Sequence, residues 1–356
     1  MGEPLLDSAI IADLYYHSPR QADYEGFRFS LNYRLSREKD FEFVGVEGAR
    51  LWSTKGLPAI GTKRVKASEM AQMLSYLTEI HDDTLDPDLL NQITETGEMS
   101  RWLTFFEWNH GILPFDAAMA ALLPDPMLPE QRSAVLRFES PQHYTSYLVE
   151  VRYPTGNRGG WLQGLDSFFQ EYLIAGAMIT LARTEEPNVF TIAYEEAGAS
   201  DTERLLTLDE KKNKFTFADM VYECAVDEEL VLRQSRFGKL KNLKSLPNSE
   251  RRRADVVLRH VFDVAGDRVG TRQQPEYQML LDDLYVAYNV LRPASIGFLR
   301  SLLEGDEQCF SDPSLPDMYT YIPVIEEVEQ ETVEEIELEE DELMIRWSKY
   351  NQYEDE

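Results

Sequence analysis

Apolar residues recur along this chain with two different periods, and the switches between them mark the elements. From Tyr24 to Arg37, Phe27, Leu31 and Leu35 fall at every fourth position while Phe29 and Tyr33 are apolar on another side, which predicts a helix. A shorter helix is expected over Leu5 to Tyr16, stopped by Pro19. The period then drops to two in Phe41-Glu-Phe-Val-Gly45 and Ala49-Arg-Leu-Trp-Ser53, which flank Val46-Glu-Gly48 as a hairpin. Gly, Pro and Lys punctuate residues 56–66 as a connection. Helical spacing returns from Ala67 to Ile80, with Met70, Met73, Leu74 and Leu77 on one face and Ser68 as cap. Trp102-Leu-Thr-Phe-Phe-Glu-Trp108 reads as an aromatic strand, and Asp116 is placed to cap a short helix through Leu123.

Strand signals are densest from Ala134 to Tyr194. Ala134-Val-Leu-Arg-Phe138 and Tyr147-Leu-Val-Glu-Val-Arg-Tyr153 are rich in β-branched and aromatic residues, and Gly156-Asn-Arg-Gly-Gly160 supplies a turn. After Trp161, the spacing of Leu165, Phe168, Phe169 and Tyr172 suits a short helix opened by Asp166 or Ser167. Gly176 to Arg183 and Val189 to Tyr194 form a hairpin across Thr184-Glu-Glu-Pro-Asn188. Glu195 to Asp201 reads as a linker, and a further hairpin joins Arg204–Leu208 to Lys214–Phe217. Helical patterns follow at Ala254, Val257, Leu258 and Val261, and from Tyr277 to Leu291. Ser295 can cap another helix carrying Ile296, Leu299 and Leu303, after which Gln308–Phe310 and Met318–Ile322 can pair as strands.

The central order of strand with Trp161, short helix ending at Leu173, then Gly176 opening a hairpin that ends in Phe190-Thr-Ile192, resembles the DNA-binding pseudobarrel family of plant transcription factors and some restriction enzymes. That resemblance covers residues 134–194, with Ala177 standing where those families usually place an acid. It implies duplex DNA held by loops at one end of the barrel, with Arg152, Asn157, Arg158 and Arg183 as contacts. An ordinary small barrel with solvated arginines accounts for the same residues.

The helix, helix, hairpin layout near the amino end resembles a winged helix, whose helix before the wing can enter a major groove. Arg28, Asn32 and Arg37 would then face outward, with Arg50 and Lys55 on or beside the wing; winged helices also serve as protein-docking modules. Residues 276–324 resemble a winged helix again, particularly the HARE-type domain of the delta subunit of bacterial RNA polymerase, which also ends in an acidic tail. The resemblance implies RNA polymerase, or another protein, as a partner of the tail.

Charge changes this picture unevenly. The net charge is −29, and an acidic surface repels a phosphate backbone. From Glu326 to Glu356 there are 14 acids against Arg346 and Lys349, a net of −12, which predicts a disordered tail. Within it Arg346, Trp347 and Tyr350 suit a docking peptide. From Leu230 to His260, nine Lys or Arg stand against Glu250 and Asp255, a net of +7. Arg233, Arg236, Lys239, Lys241, Lys244, Arg251, Arg252 and Arg253 make this stretch a candidate for an anionic partner, nucleic acid or the chain's own tail, or else a solvated linker.

Catalytic chemistry finds little support. Asp82 to Asp88 lacks the glycine and distal glutamate of an EF-hand and reads as an acidic turn and cap. Glu210 and Lys212 resemble the acid and lysine of metal-dependent nucleases, without an upstream acid to complete the set. His110 and His143 have no nucleophile beside them, and Cys224 and Cys309 have no neighbours at ligand spacing. No metal or cofactor is expected. The longest apolar run, Tyr172 to Ala182, is too short for a bilayer and Met1-Gly-Glu-Pro lacks a signal peptide's basic region, so the expected setting is cytoplasmic, without a membrane partner.

The expected architecture is α+β and multidomain: a winged-helix-like module at 1–57, a helical connection at 58–100, a small β-barrel at 101–197, a hairpin and basic linker at 198–248, a second winged-helix-like module at 249–324 and the tail at 325–356. The expected function is that of a transcription-associated DNA-binding protein whose tail competes with nucleic acid, or of a non-enzymatic adaptor.

Overall fold

A computed structural model describes residues 3–55, 60 and 65–324. The chain divides into two units, Met1–Pro323 and Val324–Glu356. All of the second except Val324, including Arg346, Trp347 and Tyr350, lies outside the described residues.

The first unit opens with β1 (Leu5–Leu6), α1 (Asp7–Tyr15), α2 (Tyr24–Arg37), β2 (Phe41–Phe43) and β3 (Leu51–Thr54). Leu5 and Leu6 were expected to start a helix; instead they pair with Trp52 and Leu51, giving an antiparallel sheet in the order β1-β3-β2. Asp7, with no exposed surface, accepts from Arg28 Nε at 2.7 Å, Arg28 Nη2 at 2.9 Å and Asn32 Nδ2 at 2.8 Å. Asn32 Oδ1 accepts in turn from Trp52 Nε1 at 2.8 Å. A carboxylate taken out of water needs such partners, so Arg28 and Asn32 point into this module and not outward.

Next come α3 (Ala67–Met73) and a 3-10 turn at Ser75–Thr78. Ser68 does not cap α3, whose N-cap is Lys66 without a side-chain bond. The helical run stops short of Ile80, whose φ of 67° is a left-handed conformation that β-branched residues rarely adopt. Then α4 (Pro87–Thr96) begins with Asp86 accepting from Asp88 N and ends at Gly97 with φ 69°. The acidic loop before it fastens other helices too. Asp82 accepts from Ala117 N at 2.6 Å, and Asp83 from Ile296 N and Gly297 N at 2.6 and 2.9 Å.

The curled half-barrel at the centre is built from β4 (Glu98–Trp102), β5 (Ile112–Pro114), β6 (Ser133–Ser140), β7 (Thr145–Arg152), β8 (Trp161–Gln163), β9 (Met178–Arg183) and β10 (Val189–Tyr194). Its order is β4-β9-β10-β6-β7-β8-β5, antiparallel except where β10 meets β6. Between strands lie α5 (Phe105–His110), α6 (Ala117–Leu122) and α7 (Asp166–Tyr172). The aromatic run expected as one strand ends its strand at Trp102, because Thr104 and Glu107 form a capping box that starts α5. Asp116 caps α6, as its position suggested.

A two-stranded ribbon follows, β11 (Glu196–Asp209) with β12 (Lys214–Cys224). It takes in the stretch expected as a linker, since Asp201, Thr202 and Glu203 pair with Tyr222, Val221 and Met220. Then α8 (Gln234–Phe237), α9 (Asn248–Arg251) and α10 (Ala254–Ala265) lead to β13 (Asp267–Arg268), β14 (Tyr277–Leu280), α11 (Leu281–Tyr288), α12 (Ile296–Gly305), β15 (Cys309–Ser311) and β16 (Met318–Tyr321). The long helix expected from Tyr277 starts only at Leu281, because the four residues before it pair with Met318 to Tyr321. Those strands form a sheet in the order β13-β14-β16-β15.

One hydrophobic cluster runs from Val44 through Phe138, Phe168 and Ile192 to Leu284 and Tyr321. The amino-terminal hairpin is tied to the half-barrel by Val135 N donating to Val44 O at 2.8 Å. Its turn rests on the β9–β10 turn: a Cβ on Gly48, where φ is 83°, would lie 2.7 Å from Pro187.

Candidate nucleic-acid interface

Sequence position alone would leave Arg132, Arg152 and Arg158 spread over three segments. Register brings the first two together, since Ser133 at the start of β6 lies opposite Arg152 at the end of β7. The chain then turns through residues 153–160, closed by mutual backbone bonds of 3.1 Å between Thr155 and Arg158, with Gly156 at φ 61°. Gly159 N donates to Ala71 O at 3.0 Å, and a Cβ on Gly159 would fall 2.1 Å from the Leu74 carbonyl oxygen. Only glycine permits that approach, which lays α3 against the turn.

The result is a pocket of about 360 Å³ lined by Arg132, Arg152, Arg158, Tyr153, Trp161 and Ser68, among others. Arg152 Nη2 pairs with Glu150 Oε1 at 2.7 Å, while its buried Nε has no hydrogen-bond partner. Burial pushes the Glu150 carboxyl above its usual range, opposed by the Arg152 charge and a hydrogen bond from Gln163. Gln163 also accepts from Trp161 Nε1 at 2.8 Å, so the indole is fixed from behind. Arg132, Asn157 and Arg158 are exposed. Tyr153 and Trp161 are buried and form the floor, so what the pocket offers a ligand is its guanidinium groups, which suit phosphate recognition.

The other expected contacts are differently placed. Arg183 lies level with Tyr147 by register through Phe190 and Phe138, well along β7 from Arg152, and its Nε and Nη2 donate to the carbonyls of Leu122 and Ala121 at 2.8 and 2.7 Å. Arg37 is exposed and lies over Tyr33 at 5.4 Å, and Arg50 is half-buried. The first part of the basic stretch is neutralised by acids on neighbouring segments. Arg233 pairs with Glu203 and Glu228, Arg236 with Glu229 and Asp283, and Lys239 with Asp267. Arg253 pairs with Asp255 at 2.9 Å, which offsets its position at the start of α10. Lys241, Lys244 and Arg252 are exposed.

Arg251 instead helps line a larger cleft of about 650 Å³ with Asn109, His110, Asn213, Ser245 and Asn248, a grouping that sequence spacing does not bring together. Burial lowers the Arg251 pKa, partly opposed by Glu69. Glu210 lines the same cleft, while Lys212 pairs with Asp209 at 3.5 Å. Among the described residues, no group of three His, Cys, Asp or Glu is arranged to hold a metal, and no helix is long and apolar enough to cross a membrane. His143 is stacked on Tyr172 at 3.6 Å. Cys224 is buried, and burial pushes the Cys309 thiol up to about 12.

No protein-family model matches the chain, and no curated protein matches it significantly in sequence.

Proposed function

We propose that this protein binds duplex DNA through the corner of the half-barrel formed by residues 152–161, in the transcription-associated setting that the resemblance of residues 276–324 suggests. The observation that carries the reading is the convergence of Arg132, Arg152 and Arg158 beside Tyr153 and Trp161. In a chain of net −29 a local cluster of cations is what an anionic backbone would find. The reading departs from the expected layout: α2 does not offer Arg28 and Asn32 to a groove, and Arg233 to Lys239 are occupied by acids.

Fluorescence anisotropy of a random duplex with the full chain, over a range of salt, tests it. Arg158→Gln and Arg132→Gln should each weaken binding and reduce the salt slope by about one. Arg253→Gln should change neither. Absence of binding, or affinity indifferent to Arg132 and Arg158, overturns the reading. The adaptor reading is favoured by a separate observation, the exposed Phe29 and Tyr33 on the outer face of α2.

A further inference from the structure

The outer face of α2 has an order that fits itself. Glu25, Phe29, Tyr33 and Arg37 recur at every fourth residue and all are exposed, Phe29 by 71% and Tyr33 by 55%. The two rings stack with centroids 6.3 Å apart, and the Arg37 guanidinium lies over the Tyr33 ring, 5.4 Å from its centroid. The opposite side of the helix is spent on the module's own interior, where Arg28 and Asn32 hold Asp7 and Leu35 is buried. Two neighbouring large aromatics left in water on one helix mark a contact surface more than a solvated face.

We propose that two copies of this chain pair through α2 in antiparallel fashion about a two-fold axis. The row Glu25, Phe29, Tyr33, Arg37 reads acid, aromatic, aromatic, base. Reversed and laid against itself, it puts Phe29 of each copy on Tyr33 of the other and Glu25 of each beside Arg37 of the other. Each contact is made twice, as an isologous interface requires. Residues four apart form a ridge inclined to the helix axis, and packing two such ridges together sets the helices at roughly −50°. Gly26 lies beside this row, and a Cβ built there meets nothing within 4 Å, so the backbone can be approached closely at the end where Glu25 meets Arg37. A partner protein with no matching order would use the aromatics but have no use for the flanking charges.

Sedimentation equilibrium of the full chain over a range of concentrations tests the pairing. Wild type should move from monomer to dimer, and Phe29→Asp should remain monomeric with an unchanged circular dichroism spectrum. Glu25→Arg or Arg37→Glu alone places like charges together twice and should weaken the dimer about tenfold or more. The two reversals combined should restore it, because the opposite charges again meet across the axis. A wild-type chain that stays monomeric throughout, or a dimer indifferent to Phe29→Asp, overturns the proposal. A dimer lost in both single reversals and not regained in the double variant overturns the antiparallel arrangement. DNA binding measured on Phe29→Asp separates this surface from the arginine pocket, since the pocket is built from other residues.

Discussion

Asp7 carries its charge into a place that holds no exposed surface of its own, and its partners decide what that costs. Burial raises its pKa, but hydrogen bonds from Arg28 and Asn32 together with the Arg28 charge outweigh this and hold it below the ordinary carboxylate range. A group with a depressed folded-state pKa stabilises above its unfolded pKa, and the contribution is lost as pH falls through the folded value. Asp7→Asn should therefore lower stability at neutral pH by about 2–3 kcal/mol, less than for a fully buried pair because Arg28 keeps a quarter of its side chain in water. Urea midpoints should differ between wild type and variant at pH 7 and converge below the folded pKa of Asp7; a constant difference would contradict the assignment. The spacing of Arg28 and Asn32 on a helix was legible in the sequence. Their direction was not, because a lone aspartate at position 7 carries no signal that it will be buried.

Short-range chemistry was legible wherever it was complete within a few residues. Asp116 and Ser295 cap the helices expected of them, and the hairpins from Gly176 to Tyr194 and around residues 209–213 form in place. Thr104 with Glu107, and Asp86 with Pro87 and Gly97, were equally readable helix signals that aromatic density and acidity obscured. Tyr277 to Leu280 could not be read locally, since its helical spacing is overridden by strand pairing forty residues away in the chain. Gly159 decides whether the arginine pocket keeps its shape. Gly159→Ala would place a carbon 2.1 Å from the Leu74 carbonyl oxygen and should cost about 1–3 kcal/mol by pushing the turn off α3. Its DNA affinity should fall further than that of Gly238→Ala, a site of ordinary φ (−54°) where an added Cβ meets nothing within 4 Å. Equal affinities would show that the turn need not be seated.

Taken together, the 35 basic and 64 acidic residues are not distributed as a linear count suggests. Most of the +7 of residues 230–260 is answered by Glu203, Glu228, Glu229, Asp267, Asp283 and Asp306, brought in by the ribbon, the neighbouring loops and α11, whereas Arg132 joins Arg152 and Arg158 only through the register of β6 and β7. A site made by long-range pairing leaves no motif, which is why Arg152 and Arg158 were visible in the sequence and Arg132 was not. The loop from His81 to Asp86 has a consequence of the same kind. Its aspartates secure α4 and α6 nearby, but Asp83 waits for the backbone N–H groups of Ile296 and Gly297, more than 200 residues later. On the ribosome, the first third of the chain emerges with this clasp open and cannot close it until nearly the whole protein has been made. A chain released at residue 290 should thus be degraded rapidly by added protease, with no resistant fragment spanning residues 67–122, whereas the full chain protects that region; a stable fragment there would mean that the early segments fold without waiting.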